Sequence, residues 1–322
     1  MKPLVISVIA AAFTFAFTTS GALAQYPTKT VRAIVAFTPA SATDIIGRAF
    51  TEPMGRALGQ TIIVENRPGA GGTIAAQAVV SAEPDGHTLL IHSGAHAINP
   101  AIYPNLKYDT VKDFVAVAGL GAVPNVMIAP PGRYKSMQEL LAAAKAKPGA
   151  LNYGSAGVGS GTHLNAEKIK MIAGVDIQHV PFKGTPEVVT EVAAGRLEFY
   201  MAPLNAVISL IKEGRVQALA ISGLKRSSLL PDVPTTIEAG LPDSDFSLWI
   251  GIFAPAKTPP EVVVRLNAEA MKALATPEIR DRLAKMCAEG MPMSPKEFDT
   301  FVRQEIEVSA KLAKAAKLQI QQ

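Results

Sequence analysis

The sequence has one cysteine, few aromatic residues and few charged residues. Cys287 is the single cysteine among 322 residues, which excludes an intramolecular disulfide and a cysteine-rich zinc module. Charged residues make up 18% of the chain, and the basic residues behind its net charge of +4 are scattered. Nucleic-acid-binding proteins concentrate lysine and arginine on one face or arm, so no nucleic-acid partner is expected. Cys287 lies in an apolar helical pattern with Leu283 and Met286, which predicts a buried thiol.

A long hydrophobic run is present at the N terminus and is not repeated later. Lys2 supplies a positive charge, residues 4–17 are mostly apolar, and Ala22-Leu23-Ala24 has the small-x-small pattern of a signal-peptide cleavage site. The run is shorter than the roughly 20 residues that a membrane-spanning helix needs. We therefore predict a signal peptide over residues 1–24, cleaved near Ala24, and a mature protein exported to the periplasm.

After residue 25, short β-branched segments alternate with helical patterns. Strands are predicted near residues 31–37, 61–65, 87–92, 151–154, 177–180, 197–201, 216–221 and 248–254. Three helices follow the last strand, and each begins with a capping residue and a proline: Thr258-Pro259, Thr276-Pro277 and Ser294-Pro295. The alternation predicts an α/β fold of mostly parallel sheets with helices on both faces.

The length of the chain predicts two domains rather than one. The order of the segments places a first lobe at residues 25–123 and 226–322 and a second lobe at residues 124–225. The chain then crosses twice between the lobes, and two crossings form a hinge. The cleft between the lobes is the expected ligand site.

The strongest chemical signal is a glycine-rich segment between a predicted strand and a predicted helix, Tyr153-Gly-Ser-Ala-Gly-Val-Gly-Ser-Gly-Thr-His163. Its glycines let backbone N–H groups turn inward, and the helix start adds positive dipole character, so the segment predicts an anion site. It departs from the Walker A, G-x-G-x-x-G and G-x-S-x-G patterns. A carboxylate is the favoured anion, while phosphate, another anion or a plain flexible turn remain alternatives. The candidate binding residues in this segment are Ser155, Gly157, Gly159, Ser160, Thr162 and His163.

Two further loops follow predicted strands and supply candidate residues. In the loop after the first strand these are Thr38, Ser41, Ala42, Thr43 and Asp44. Thr43 and Asp44 also fit the start of a helix, and capping is compatible with binding. Ser93 and His96 follow the strand near residues 87–92, at the strand end where open α/β sheets bind ligands.

The remaining polar residues do not form a catalytic or metal-binding pattern. His87 and His92 lie on opposite faces of a strand, and no carboxylate accompanies them or His96 at ligand spacing. No Ser-His-Asp triad can be assembled from the motifs. An exported hydrolase that uses Ser155 or Ser160 remains the alternative to a binding protein. No cofactor, metal or catalytic residue is predicted.

A set of ordered motifs resembles one protein family. The motifs are Tyr26-Pro-x-Lys-x-Val-Arg32, Val64-Glu-Asn-Arg-Pro-Gly-Ala-Gly-Gly72, Pro84-Asp-Gly-x-Thr-Leu-Leu90, His96-Ala-Ile-Asn-Pro100, Leu151-Asn-Tyr153, His179-Val-Pro-Phe-Lys-Gly184 and Leu230-Pro-Asp-Val-Pro-Thr235. From Tyr26 to the last helix the chain resembles the solute-binding receptors of tripartite tricarboxylate transporters, also called Bug receptors. The resemblance implies a two-lobed periplasmic binding protein of the Venus-flytrap, type II-like architecture that closes on a small organic acid without chemistry. It also implies the integral membrane subunits of a transporter as partners, and we expect a monomer.

The resemblance further implies which loops hold the carboxylate of the ligand, partly through ordered water. The matching loops are residues 38–44 and 155–163, with Lys183-Gly184-Thr185 and residues 93–96 around the same cleft.

This sequence departs from the family at two places, and both concern the choice of ligand. Ala40-Ser41-Ala42 stands where relatives usually carry glycines, and Ala202-Pro203 stands where relatives often carry an aspartate. The absence of a carboxylate at Ala202 favours a dicarboxylate ligand, including an aromatic one such as terephthalate. A periplasmic sensor that presents its ligand to a signalling partner would use the same site and stays open as an alternative.

Overall fold

The computed structural model describes residues 26–39, 41–182, 184–315 and 318. The predicted signal peptide, Ala40 and Lys183 lie outside these residues. Within the described ranges, no helix is long and apolar enough to cross a membrane.

Strands and helices alternate along most of the chain. The strands are β1 (Val31–Val35), β2 (Ile62–Asn66), β3 (Thr88–Ser93), β4 (Phe114–Ala129), β5 (Asn152–Ser155), β6 (Gln178–Pro181), β7 (Phe199–Pro203), β8 (Gln217–Ile221), β9 (Ser247–Pro255) and β10 (Glu289–Gly290). The helices are α1 (Ala42–Leu58), α2 (Thr73–Val80), α3 (Ala95–Ile102), α4 (Met137–Ala146), α5 (Gly161–Ala173), α6 (Thr185–Ala193), α7 (Leu204–Lys212), α8 (Pro260–Ala275), α9 (Pro277–Lys285) and α10 (Pro295–Ala315). The predicted α/β class and the three C-terminal helices are confirmed.

The strands pair in the order β2-β1-β3-β9-β4-β7-β5-β6, and β8 and β10 also pair with β4. As predicted, β1 is parallel to β2 and β3, and β5 is parallel to β6 and β7. β9 is antiparallel to β3 and β4, and β4 is antiparallel to β7 and β8. The sheet of each lobe is therefore mixed, with parallel and antiparallel pairs. The antiparallel pairs are those made by β4 and β9, the strands at which the chain passes between the lobes.

The core of each lobe lies on both faces of its sheet, because successive side chains of a strand point to opposite faces. In β1, Val31 joins an apolar cluster with α1 and α8, while Ile34 joins a second cluster that contains Trp249. In the second lobe, the neighbouring residues Val126 and Met127 of β4 likewise belong to two different apolar clusters. Helices cover both faces in each lobe.

The two lobes are joined where β4 passes from one sheet to the other. Residues 114–124 of β4 pair with β9, and residues 125–128 pair with β7. The buried hydroxyl of Ser222, which contacts Phe246 at the point where the chain returns to the first lobe, accepts hydrogen bonds from the backbone N–H of Asn125 (3.2 Å) and from Nδ2 of Asn165 (3.0 Å). The same hydroxyl donates to the carbonyl of Phe246 at 2.6 Å. We call Asn125, Asn165, Ser222 and Phe246 the hinge cluster.

The segment of residues 226–245 packs on the second lobe, which differs from the predicted return to the first lobe at residue 226. Leu230 and Val233 pack against one apolar cluster of the second lobe, and Ala239 and Leu241 belong to the other. The chain re-enters the first lobe at β9. We therefore propose that the second lobe covers residues 124–245 and the first lobe resumes at residue 246.

The thiol of Cys287 is buried just after α9, as predicted. It packs among apolar residues of the second lobe, and burial raises its pKa. A thiol with a raised pKa carries little of the reactive thiolate.

Candidate functional site

A cavity of about 380 Å³ lies between the two lobes. Its size falls in the range of small-molecule sites, roughly 300–1,000 Å³. The lining residues are Phe37, Ser41, Ala42, Thr43, Gly71, Ser93, Gly94, Ala95, Ile98, Asn99, Ile102, Tyr103, Val158, Gly159, Ser160, Gly161, Leu164, Phe246, Ser247, Leu248, Trp249, Glu305 and Ser309. Residues 158–164 come from the second lobe and most of the others from the first, so both lobes contribute walls.

Three helix N termini converge on this cavity. Ser41 caps α1, Gly94 precedes α3 and Ser160 caps α5, and all three line the wall. The first N–H groups of a helix have no acceptor within the helix, and the helix dipole places about half a positive charge at each N terminus. The described lining residues include no lysine or arginine. Positive potential in the cavity therefore comes from backbone N–H groups rather than from charged side chains.

The cap of α1 is made by the side chain of Ser41, which accepts a hydrogen bond from the N–H of Asp44 at 3.3 Å. Asp44 itself points away from the cavity wall, because its Oδ1 accepts from Arg48 Nε at 2.9 Å and from Asn66 Nδ2 at 2.8 Å. These bonds tie α1 to the end of β2. They leave the N–H groups of Ala42 and Thr43, at the start of α1, beside the cavity.

Most side chains of the glycine-rich loop hold the loop in shape rather than line the cavity. Ser155 is fully buried, and its Oγ contacts His179 Nε2 at 2.7 Å and donates to the Gly157 carbonyl at 3.0 Å. Thr162 Oγ1 accepts from the N–H of Ala156 at 3.0 Å. The loop therefore presents backbone groups of residues 159–161 to the cavity. The buried position of Ser155 removes it as the nucleophile of a hydrolase, although a histidine lies beside it.

His163 fixes the tip of the same loop as a neutral imidazole. Its Nδ1 accepts a hydrogen bond from the N–H of Gly159 at 3.1 Å, and its ring stacks on that of His179 with centroids 3.8 Å apart. Burial, and then the neighbouring His179 and Lys170, lower the pKa of His163 to about 3. An imidazole that stays neutral at physiological pH keeps Nδ1 available as an acceptor.

The structure brings together six of the predicted site residues at the cavity: Ser41, Ala42, Thr43, Ser93, Gly159 and Ser160. Outside its lining are Thr38, Asp44, His96, Ser155, Gly157, Thr162, His163, Thr185 and Ala202. Lys183 lies outside the described residues.

Three of the residues outside the lining have clear structural roles. His96 is fully buried among aromatic rings, with the ring of Phe114 4.8 Å away. Thr185 Oγ1 bonds to the hydroxyl of Tyr200 at 2.8 Å. Ala202 is fully buried in an apolar cluster of the second lobe, so a side chain introduced there would meet the core.

Sequence patterns missed the part of the cavity formed by β9 and α10. Trp249, Glu305 and Ser309 line it, and Nε1 of Trp249 donates to Oε2 of Glu305 at 2.9 Å. Burial raises the pKa of Glu305. No local motif marks these residues, although Trp249 is the single tryptophan of the chain.

Comparison with known proteins gives consistent matches over most of the chain. A family model described as the tripartite tricarboxylate transporter family receptor matches residues 46–318. The UPF0065 protein in the tcbD-tcbE intergenic region of Pseudomonas sp. (strain P51) is 37% identical, over 88% of this chain and 84% of that protein. Protein BugT of Bordetella pertussis is 32% identical, over 88% of this chain and 87% of that protein.

Two solved structures with named ligands are similar throughout. R. palustris Rpa4515 with adipate is 32% identical with a TM-score of 0.78, covering 92% of this chain and 100% of that one. MatC from Rhodopseudomonas palustris with bound malate is 34% identical with a TM-score of 0.74, covering 89% and 99%. The predicted two-lobed architecture of a periplasmic binding protein is confirmed by such matches.

Proposed function

The chain belongs to the tripartite tricarboxylate transporter receptor family, and we propose that it captures a small dicarboxylate in the cavity between its lobes and delivers it to the membrane subunits of a transporter. The family is one of solute-binding receptors, so the chain is a receptor and not an enzyme. Further parts of the proposal are export with cleavage near Ala24, and a monomeric receptor in the periplasm.

The convergence of three helix N termini on one cavity carries the proposal. The starts of α1, α3 and α5 each contribute partial positive charge and N–H groups that have no acceptor within their own helix. Hydrogen bonds to a charged acceptor are roughly twice as strong as neutral ones. A carboxylate accepts from several of these donors at once, whereas a sugar hydroxyl has no charge that the positive potential can stabilise and an ammonium group is repelled by it.

A dicarboxylate fits the apolar walls of the cavity and agrees with the ligands named for similar structures. Ile98, Ile102, Leu164 and Leu248 give the cavity apolar surface on which an alkyl chain or an aromatic ring can pack. Adipate and malate, the ligands named for two similar structures, are both dicarboxylates. Terephthalate combines two carboxylates with a flat ring and belongs in the same test.

The experiment is a thermal-shift screen of organic acids, sugars, amines and nucleotides on the mature protein. A ligand at 100 times its Kd stabilises the folded state by about 2.7 kcal/mol, so binding is readily seen. We expect dicarboxylates to raise the melting temperature and the other classes to leave it unchanged. Stabilisation by sugars or cationic amines, with no effect of any carboxylate, contradicts the proposal.

A matched pair of variants tests where the acid binds. Thr43→Val removes a hydroxyl at the start of α1 on the cavity wall, and Thr190→Val makes the same change on the exposed face of α6. A hydrogen bond to a charged group contributes about 1.5–3 kcal/mol, so Thr43→Val is expected to weaken dicarboxylate binding about tenfold or more. Thr190→Val is expected to bind as the wild type does. Equal affinities for all three proteins contradict the placement of the site.

A further inference from the structure

Glu305 is an acidic side chain in a cavity whose other features favour anions. It lies on α10, lines the interlobe cavity beside Ser309, and accepts the hydrogen bond from Trp249 Nε1. The same three residues also line a second cavity of about 330 Å³ behind this wall. Glu305 therefore forms part of a partition between two spaces, on the first-lobe side of the cleft.

The charged groups around Glu305 do not neutralise it through a direct ion pair. Among the described residues that line either cavity, the other charged ones are Lys168, Lys225, Asp245 and Glu289. Nζ of Lys168 donates to the carbonyl of Asp245 at 2.6 Å, and Nζ of Lys225 lies 3.4 Å from the Glu289 carboxylate. Burial raises the pKa of Glu305; the hydrogen bond from Trp249 and then the charge of Lys168 oppose this increase, and the charge of Asp245 adds the smallest effect, a further increase.

A dicarboxylate in this cavity has one end at the helix N termini and a second end that must lie against another wall. Two ionised carboxylates at hydrogen-bond distance repel strongly, and such pairs hold one proton between them. Glu305 supplies one member of such a pair, and the second carboxylate of the ligand supplies the other.

We propose that Glu305 recognises the second carboxyl group of a dicarboxylate through one shared proton, so that capture takes up a proton from solution. This inference rests on the proposed function. One carboxyl group, on Glu305 or on the ligand, gains the proton and donates an O–H···O⁻ hydrogen bond to the other, and no covalent bond changes. Glu305 is therefore a specificity-determining residue. It binds a carboxyl end of the ligand only when one proton is shared between the two groups, whereas it binds an amide end without an added proton.

Proton uptake makes dicarboxylate affinity depend on pH. Above the pH at which free Glu305 loses its proton, the affinity falls by up to about tenfold per pH unit. A half-amide of the same acid carries its own N–H donors to the Glu305 carboxylate, so its affinity stays level over this range.

The test is isothermal titration calorimetry with the acids from succinate to suberate, with terephthalate, and with the half-amide of each. Titrations in MES and in imidazole at about pH 6, and in HEPES and in Tris at about pH 8, give the number of protons bound, because the two buffers of each pair differ in ionisation enthalpy. Above the pH at which free Glu305 loses its proton, we expect a dicarboxylate to bind with uptake of about one proton, and its half-amide with none. Glu305→Gln offers an amide donor to the ionised second carboxylate, so we expect its dicarboxylate binding to show no proton uptake. Glu307→Gln, an exposed change on the same helix, is the matched control and retains the uptake.

The single tryptophan gives a second readout that needs no ligand. Because Trp249 Nε1 donates to Glu305, the indole fluorescence of the free protein is expected to change as Glu305 titrates, and Glu305→Gln abolishes that step. Absence of the step in the wild type, or its persistence in Glu305→Gln, overturns the inference.

The outcomes separate this inference from the proposed function. Dicarboxylate binding without proton uptake, or uptake that persists in Glu305→Gln, overturns the role of Glu305 and leaves the receptor intact. Binding of monocarboxylates alone does the same. Failure of every carboxylate to bind the folded protein overturns the proposed function, and the inference with it.

Discussion

Replacing Ser222 by alanine tests how the two lobes are joined. The hydroxyl of Ser222 accepts hydrogen bonds from the backbone N–H of Asn125 and from the side chain of Asn165, and it donates to the carbonyl of Phe246. Alanine removes the acceptor from two donors in a fully buried position. A buried donor left without a partner costs about 1–3 kcal/mol, so we expect Ser222→Ala to lower the free energy of unfolding by about 2–6 kcal/mol.

Urea unfolding followed by circular dichroism measures this loss. Ser81→Ala is the matched control, because Ser81 is exposed and the same atoms are removed there. Exposed substitutions usually change the free energy of unfolding by less than about 0.5 kcal/mol. If Ser222→Ala is no less stable than Ser81→Ala, the hinge cluster does not depend on this hydroxyl and the reasoning is refuted.

Two further predictions concern the core and the glycine-rich loop. Phe298 is fully buried against Trp249, so Phe298→Ala is expected to lower the free energy of unfolding in urea by about 3–5 kcal/mol. Phe301 is half-buried, so Phe301→Ala is expected to lower it clearly less, and equal losses for the two variants contradict this. The pKa of His163 is about 3 in the folded protein, and an unfolded histidine binds its proton near 6.5, so the unfolded state gains protons first as the pH falls and stability drops. Between pH 7 and about pH 5 this costs about 2 kcal/mol, and the pH dependence of the unfolding free energy is expected to be smaller by that amount in His163→Gln. An identical pH dependence in the variant contradicts the assignment.

Patterns within short segments predicted much of the fold. The predicted strands near residues 31–37, 87–92 and 248–254 correspond to β1, β3 and β9, because a buried strand shows itself as a run of β-branched and apolar residues. The helices with a capping residue and proline were equally evident. The sequence predicts that the chain returns to the first lobe at residue 226, whereas Leu230 and Val233 pack on the second lobe. The proline-containing segment around these residues has no clear periodicity, so its packing partners, which are distant in the sequence, could not be predicted.

The cavity was predictable where a loop and the following helix form one local motif. Ser41 and Ser160 were found because capping residues and glycines mark a helix N terminus. The direction of each hydroxyl was not predictable, and Ser155 and Thr162 turn inward to satisfy their own loop. Glu305 reaches the cavity on α10, from the far end of the chain, and no spacing in the sequence reveals that approach.

The interrupted path of the chain favours one order of folding. In the first lobe, β3 has β9 as its neighbour, and β9 is reached only after the entire second lobe. The second lobe is one continuous segment that includes its share of β4, so its contacts are the more local ones and close at a lower entropic cost. A chain that emerges N terminus first therefore exposes β1, β2 and β3 as an unfinished sheet edge until β9 and α10 arrive. We expect the second lobe to fold first and the cavity to form last, because residues of the C-terminal helix α10 complete its wall.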